Sequence, residues 1–194
     1  MTELTSLELL IGLDASWVLP IASTEPYHRL QHLTTSFIFD VNVAAFLSRT
    51  PQLLSLHLSS TFASSDRVEL SPNAVPKLSS YTGPASLISV LFSSSSDHSS
   101  RPITTLHLSG DLTLSDIDHL ALSERDQVGT DVRSGDDGCE LGKPRIEVLS
   151  VITSTPPVIV LEALGKACPN LVCLRVMTTC AFWEAPDLVS PFSY

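Results

Sequence analysis

Two histidines, His57 and His107, come closest to a metal-binding pair in this chain of 194 residues. Each stands between two leucines of a recurring apolar pattern, so both are expected on one face of a sheet, two strands apart. Their backbones would then be separated by about 9–10 Å, at roughly 4.8 Å per strand. No carboxylate is expected beside them, and a zinc site needs about four ligands. We therefore predict no metal site, and we expect both histidines to contact a partner or solvent.

The cysteines give no sign of a metal or disulfide framework either. They are Cys139, Cys168, Cys173 and Cys180. No Cys-x-x-Cys pair is present, and no histidine follows His119 to complete a zinc site. Four cysteines that lie close together in sequence are too few to cross-link a domain of this size through disulfide bonds. We predict free thiols that pack as small apolar side chains.

No catalytic or nucleotide-binding motif is present. The sequence has no Gly-x-Ser-x-Gly elbow, and it has no glycine loop of the Walker or Rossmann type. Two pairs of acids, Asp116/Asp118 and Asp136/Asp137, fall at a predicted helix start and in an acidic segment. Helix-dipole complementarity and solvation account for such pairs. We predict no enzymatic activity, no catalytic residue and no cofactor.

The elements that position these residues follow from a repeated pattern, apolar-x-x-apolar-x-apolar. Its first residues are Leu4, Leu30, Leu53, Leu78, Ile103, Ile146 and Leu171, with the copies at Leu30 and Leu78 weaker than the rest. Successive copies start 23 to 26 residues apart, except for one step of 43. This interval lies within the range of about 20–29 residues that is typical of leucine-rich repeats.

Each copy alternates with period two, which predicts a parallel strand, and helical patterns lie between the copies. We predict helices over residues 42–49, 84–92, 113–123 and 157–168. The predicted fold is an α/β leucine-rich-repeat solenoid with parallel strands on the concave face and short helices on the convex face. One domain would span residues 1–194, with a serine-rich loop at 93–100 and an acidic flexible insert at 123–142.

Charge and hydropathy exclude two classes of partner. The formal net charge of −10 opposes phosphate backbones, so we predict no nucleic-acid binding. The chain starts with Met-Thr-Glu, where a signal peptide would carry basic residues, and it has no apolar run of about 20 residues. We expect no membrane contact and an intracellular location, cytoplasmic or nuclear.

If the repeated apolar residues point inward, the residues between them line the concave face. The predicted central column is Glu8, Thr34, His57, Thr82, His107, Ser150 and Arg175. One flanking column is Ser6, His32, Ser55, Ser80, Thr105, Val148 and Cys173. The other is Leu10, Ser36, Ser59, Pro84, Ser109, Ile152 and Met177. We predict partner binding along this column from Thr34 to Arg175, with Val148, Ile152 and Met177 beside Arg175, because Arg and Met are enriched at interface cores.

The spaced copies, the irregular period near 25 residues and the Pro-x-Leu-x-x-Leu strand starts at Pro51 and Pro169 resemble the leucine-rich-repeat region of fungal F-box proteins. The resemblance covers nearly the whole chain. It implies a protein–protein interaction module that recognises the substrate of an F-box-type ubiquitin ligase receptor. An F-box docks the Skp adaptor of a cullin–RING ligase.

The F-box itself is not visible, because Leu19-Pro20 is followed by Ile-Ala-Ser-Thr rather than by an amphipathic helix. We therefore expect a fragment or an F-box-less form, with an unknown target protein as partner. Contact with the Skp adaptor and cullin is expected only if an F-box lies outside this chain. The alternative hypothesis is a stand-alone leucine-rich-repeat scaffold with no role in ubiquitin ligation.

Overall fold

The computed structural model describes residues 3–19, 26–60, 68–92, 101–125 and 146–179. These residues form an α/β fold around one parallel sheet, whose seven strands are hydrogen-bonded in the order in which they occur along the chain. The strands are β1 Ser6–Leu9, β2 His32–Thr35, β3 Ser55–Leu58, β4 Ser80–Pro84, β5 Thr105–Asp111, β6 Val148–Thr153 and β7 Cys173–Thr178. A sequential all-parallel order is compatible with a solenoid-like α/β fold.

Short helices connect the strands. The α-helices are α1 Val41–Leu47, α2 Ile88–Phe92, α3 Leu114–Arg125 and α4 Pro157–Ala167, and 3₁₀ helices cover Ala15–Val18 and Ala85–Leu87. Three of the four helices predicted from sequence are found within two residues of their expected bounds. The fourth, predicted over 84–92, starts later because Pro84 has extended dihedral angles and ends β4.

Side-chain caps account for the starts of α1 and α3. The Asp40 carboxylate accepts hydrogen bonds from the backbone N–H groups of Asn42 and Val43, which have no partner within α1. At α3, the Thr113 hydroxyl accepts from the Asp116 N–H while the Asp116 carboxylate accepts from the Thr113 N–H. This reciprocal pair is a capping box. Both helices are therefore positioned by side chains encoded at their own starts.

The interior is formed by apolar side chains of successive strands, which stack on one another so that each strand contributes one layer. Leu33, Leu56, Tyr81, Leu106, Leu149 and Leu174 pair in succession across the sheet. The first five are at most 1% exposed. The register is the one predicted from the repeated pattern, so the apolar residues of successive copies stack into one core.

Tyr81 occupies a position that holds leucine in the neighbouring strands, and Gly83 makes room for it. A Cβ atom at Gly83 would lie 2.5 Å from the Tyr81 hydroxyl oxygen and 2.9 Å from its Cζ atom. The hydroxyl donates a hydrogen bond to the Pro84 carbonyl oxygen, and burial raises the pKa of Tyr81 well above its ordinary value. Although the fourth copy of the apolar pattern is weak, Tyr81 therefore fills the core at this strand.

Arg101 is 5% exposed and lies just before β5. Its guanidinium group donates hydrogen bonds to the carbonyl oxygens of Ser71, Ala74 and Leu91. Burial lowers the pKa of this guanidinium. The side chain therefore links the segment before β4 to the end of α2.

Two segments that were predicted to be irregular lie wholly or mostly outside the described residues. The serine-rich loop predicted at 93–100 lies outside the described residues. The acidic insert predicted at 123–142 overlaps the end of α3, which runs to Arg125, and the rest of it also lies outside them.

Candidate binding surface

The strand residues between the buried ones line the open face of the sheet, opposite the helices. In register across the seven strands lie Glu8, Thr34, His57, Thr82, His107, Ser150 and Arg175. We call these seven residues the central column. The strand pairing matches the sequence prediction at every step, whereas a role for these residues in binding stays a prediction.

The central column is polar, and its charges lie only at its ends. Glu8 on β1 and Arg175 on β7 carry opposite formal charges and are exposed, whereas Thr34, Thr82 and Ser150 are half-buried between them. Within the described residues, no hydrogen bond or ion pair engages any of the seven side chains. Their donors and acceptors are therefore free to meet water or a partner.

The two histidines of the column are separated by one strand. His57 pairs with Thr82, and Thr82 pairs with His107, so the imidazoles belong to strands two apart. Nowhere in the described ranges do three residues of the types His, Cys, Asp and Glu gather closely enough to hold a metal ion. The absence of a metal site remains a prediction, and the geometry leaves the imidazoles as separate polar groups.

Apolar side chains surround the one cation of the central column. Arg175 pairs with Ser150, while Val148 and Met177 belong to the same two strands, and Ile152 lies opposite Met177. Arg175 is exposed, Met177 is 38% exposed, and the other two apolar side chains are half-buried. The structure thus brings together all four residues that were predicted to anchor a partner.

Cys173 is also part of this end of the face. It pairs with Val148 and is exposed, whereas Cys168, at the end of α4, is buried. The expectation that the cysteines pack as buried apolar residues holds for Cys168 and is wrong for Cys173, while Cys139 and Cys180 lie outside the described residues. The alternation of the strand had already placed Cys173 in a flanking column of the open face, where side chains point away from the core. That position should have predicted an exposed thiol.

One predicted column is interrupted at β5. Ile152 was expected beside Ser109, but it pairs with Asp111, because β5 bulges between His107 and Asp111. Gly110 makes this possible with a φ of 80°, which side-chain-bearing residues rarely adopt. The displaced Asp111 then accepts hydrogen bonds from the backbone N–H and hydroxyl of Ser154 at 2.6 and 2.5 Å. A glycine inside a strand pattern was the available signal for this bulge.

An apolar patch at the opposite edge of the sheet was not predicted. It comprises Leu10, Ile11, Leu13, Trp17 and Val41, each between 43% and 72% exposed. The Ser16 hydroxyl donates to the Asp40 carboxylate, so the 3₁₀ helix that carries Trp17 is joined to the start of α1. The patch therefore spans two elements beside β1.

Comparison of the chain with protein-family models, curated proteins and solved structures finds no match. In the part of the chain that the structure describes, none of the helices is long and apolar enough to cross a membrane. The sheet and the residues of its open face are therefore the features that bear on function.

Proposed function

We propose that this chain is a leucine-rich-repeat module that binds a target protein through the open face of its sheet. The observation that carries the proposal is the unbroken register of the central column across seven parallel strands. Short polar side chains on such a face can follow the surface of a partner over several strands, and repeat proteins use extended sheet faces in this way. The proposed role is binding, without catalysis.

The strongest contacts are proposed at the β6–β7 end of the face. Arg175 supplies five donors on a planar group, and Val148, Ile152 and Met177 supply apolar area around it. Interface energy is concentrated in a few such residues, while the polar rim contributes mainly complementarity. A partner with a carboxylate beside an apolar side chain fits this arrangement.

We further propose that the target is a substrate of a ubiquitin ligase and that the chain is the substrate-recognition region of an F-box-type receptor. The repeat spacing and the prolines before the strands support this assignment by resemblance. An F-box elsewhere in the gene product would be required for contact with the Skp adaptor. The second candidate, a stand-alone scaffold, differs only in lacking that contact.

A charge reversal tests the proposed surface. Arg175→Glu should weaken target binding by 10-fold or more, corresponding to a loss of about 1.4 kcal/mol or more, because hot-spot arginines contribute at least this much. Affinity capture from cell extract, followed by titration calorimetry with the captured protein, measures the change. The control is Lys77→Glu, because Lys77 is exposed and bonds only Gln52 outside the open face among the described residues.

Equal binding by the parent and Arg175→Glu would contradict the proposed surface. The ligase assignment is tested separately with the uninterrupted natural gene product. Recovery of the Skp adaptor in the captured complex supports the F-box-type receptor. A complex that contains a target but lacks every ligase component supports the stand-alone scaffold.

A further inference from the structure

The basic side chains of the sheet all belong to its open face. By the alternation of the seven described strands, this face carries His32, His57, His107 and Arg175. The acids within the same strands are Glu8, on the outermost strand β1, and Asp111, whose carboxylate accepts hydrogen bonds from Ser154. The open face therefore favours anionic groups, in a chain whose formal net charge is −10.

Three of the basic residues lie in one line across the sheet. His57 pairs with Thr82, which pairs with His107. His107 in turn pairs with Ser150, which pairs with Arg175. Basic side chains therefore alternate with hydroxyl groups along the central column from β3 to β7. Because neighbouring strands are about 4.8 Å apart, successive basic residues are separated by about 9–10 Å.

This separation matches the period of a polyproline II segment. In that conformation every third residue returns to the same side, after about 9.3 Å at a rise of about 3.1 Å per residue. Side chains on one side of a β-strand recur after about 6.6 Å, and an α-helix has a pitch of about 5.4 Å. A polyproline II segment with an acidic residue at every third position would therefore bring one carboxylate to each of the three basic side chains.

The hydroxyl groups between the basic side chains suit the backbone of such a segment. Polyproline II has no internal hydrogen bonds, so its carbonyl oxygens need donors from outside. Thr82 and Ser150 are half-buried, and their hydroxyls have no hydrogen-bond partner among the described residues. Both can donate to carbonyl oxygens that lie between two acidic residues. An α-helix would not use these donors, because its backbone groups bond one another.

We propose that the open face binds an extended acidic segment of the target, with aspartate or glutamate at every third residue facing His57, His107 and Arg175. This inference rests on the proposed function, since it names the kind of segment that the central column recognises. The guanidinium of arginine is charged at every physiological pH, whereas histidine gains its charge as the pH falls from about 8 to 5. Binding should therefore be tighter in mildly acidic solution.

Few charged groups surround the two histidines of this line. On β2, His32 is offset by two residues from the partner of His57, and β4 and β6 present no titratable side chain to either histidine. On β5 itself, Asp111 follows His107 beyond the bulge and is bonded to Ser154. The remaining charged groups are two strands from the nearer histidine, namely Glu8 and Arg175. Carboxylates of the partner would therefore be the anions that stabilise the protonated imidazoles, so binding should be coupled to proton uptake.

Synthetic peptides added to the full chain test this proposal. The probe is a rhodamine-labelled peptide with glutamate at every third position and with proline and serine between. A peptide of the same composition with glutamate at every second position controls for spacing, and a lysine version controls for charge. Fluorescence anisotropy should show roughly fivefold tighter binding of the probe at about pH 5.5 than at about pH 8, because two exposed ion pairs are gained. Both control peptides should bind more weakly than the probe.

Variants of the chain separate the contributions of the three basic residues. The pair His57→Gln and His107→Gln should remove the gain in affinity at low pH. Arg175→Gln should weaken binding of the probe at both pH values, because the guanidinium stays charged. The matched control is the pair His28→Gln and His119→Gln, because these histidines lie outside the strands, and it should keep the pH dependence. Circular dichroism verifies the fold of each variant.

Several results would overturn the proposal. They are the absence of saturable binding of the probe, equal affinity for the two glutamate spacings, tighter binding of the lysine peptide, and an affinity that does not rise on acidification. These failures differ from a failure of the proposed function. Arg175→Glu is tested there on the captured target, whose binding to the open face does not require an acidic segment of this spacing.

Discussion

Arg101 is the buried residue whose loss should affect the fold most directly through hydrogen bonds. Its guanidinium satisfies the carbonyl oxygens of Ser71, Ala74 and Leu91. Arg101→Met keeps the apolar part of the side chain but leaves these acceptors without their donor. Ala74 and Leu91 are buried, and an unsatisfied buried carbonyl costs about 1–3 kcal/mol, whereas the exposed Ser71 can bond water instead. We expect the free energy of unfolding to fall by about 3 kcal/mol, measured by urea denaturation.

Arg29→Met is the control for Arg101→Met. Arg29 forms an ion pair with Glu3, but both side chains are more than half exposed. Exposed ion pairs contribute about 0–1 kcal/mol, so the change in unfolding free energy should be small. A similar loss of stability in both variants would contradict the special role assigned to Arg101.

The fit between Gly83 and Tyr81 gives a second prediction at this scale. Gly83→Ala places a Cβ atom 2.5 Å from the Tyr81 hydroxyl oxygen, so it should destabilise the protein by about 1–3 kcal/mol. In a Tyr81→Leu background the same substitution should cost less, because the hydroxyl and ring atoms are absent. Thermal and urea unfolding of the four proteins measure the coupling. Additive effects would mean that the two residues do not constrain each other.

The sequence did not predict the structural role of Arg101 or the fit between Tyr81 and Gly83. The acceptors of Arg101 lie 10 to 30 residues away along the chain, so only the folded arrangement brings them together. Tyr81 was recognised as a weak copy of the apolar pattern, but the need for Gly83 depends on how the ring lies in the core. Position in the pattern was predictable, whereas the contacts were not.

Each strand separates a buried side from an open side, and adjacent residues of β5 test this separation. Leu106 is completely buried and His107 is exposed. Leu106→Asp buries an unpaired charge, so it should cost about 4 kcal/mol or more and unfold the domain. His107→Asp should change stability by less than about 1 kcal/mol, since exposed substitutions have small effects.

Circular dichroism and urea denaturation distinguish these two variants of β5. Comparable stability of Leu106→Asp and His107→Asp would contradict the assignment of sides. The pair is matched, because both variants introduce the same side chain into neighbouring positions of one strand.

Strands and helices were predicted best where the residues of the segment itself determine the structure. The repeated apolar spacing fixes the strands and their register, and Pro157 and Pro169 bracket α4 in sequence. The bulge in β5 was not predicted, although Gly110 signalled it, because the periodic pattern was extended through it. The strand β4 also continues to Pro84, where a helix was predicted to begin.

At the scale of the whole molecule, the sequential parallel order produces two different surfaces and two open edges. The central column of the open face is polar and continuous, while the edges at β1 and β7 expose apolar side chains such as Trp17 and Val172. The sequence predicted the face because it follows from the period, but it did not predict the patch beside β1.

The open face, rather than the helix side, is proposed to contact the target. A photo-cross-linking amino acid at His107, which is exposed on that face, should form a covalent adduct with the captured target. The same group at Ala45, which is exposed on α1, should form none. An adduct from position 45 together with none from position 107, detected by mass spectrometry, would contradict the claim.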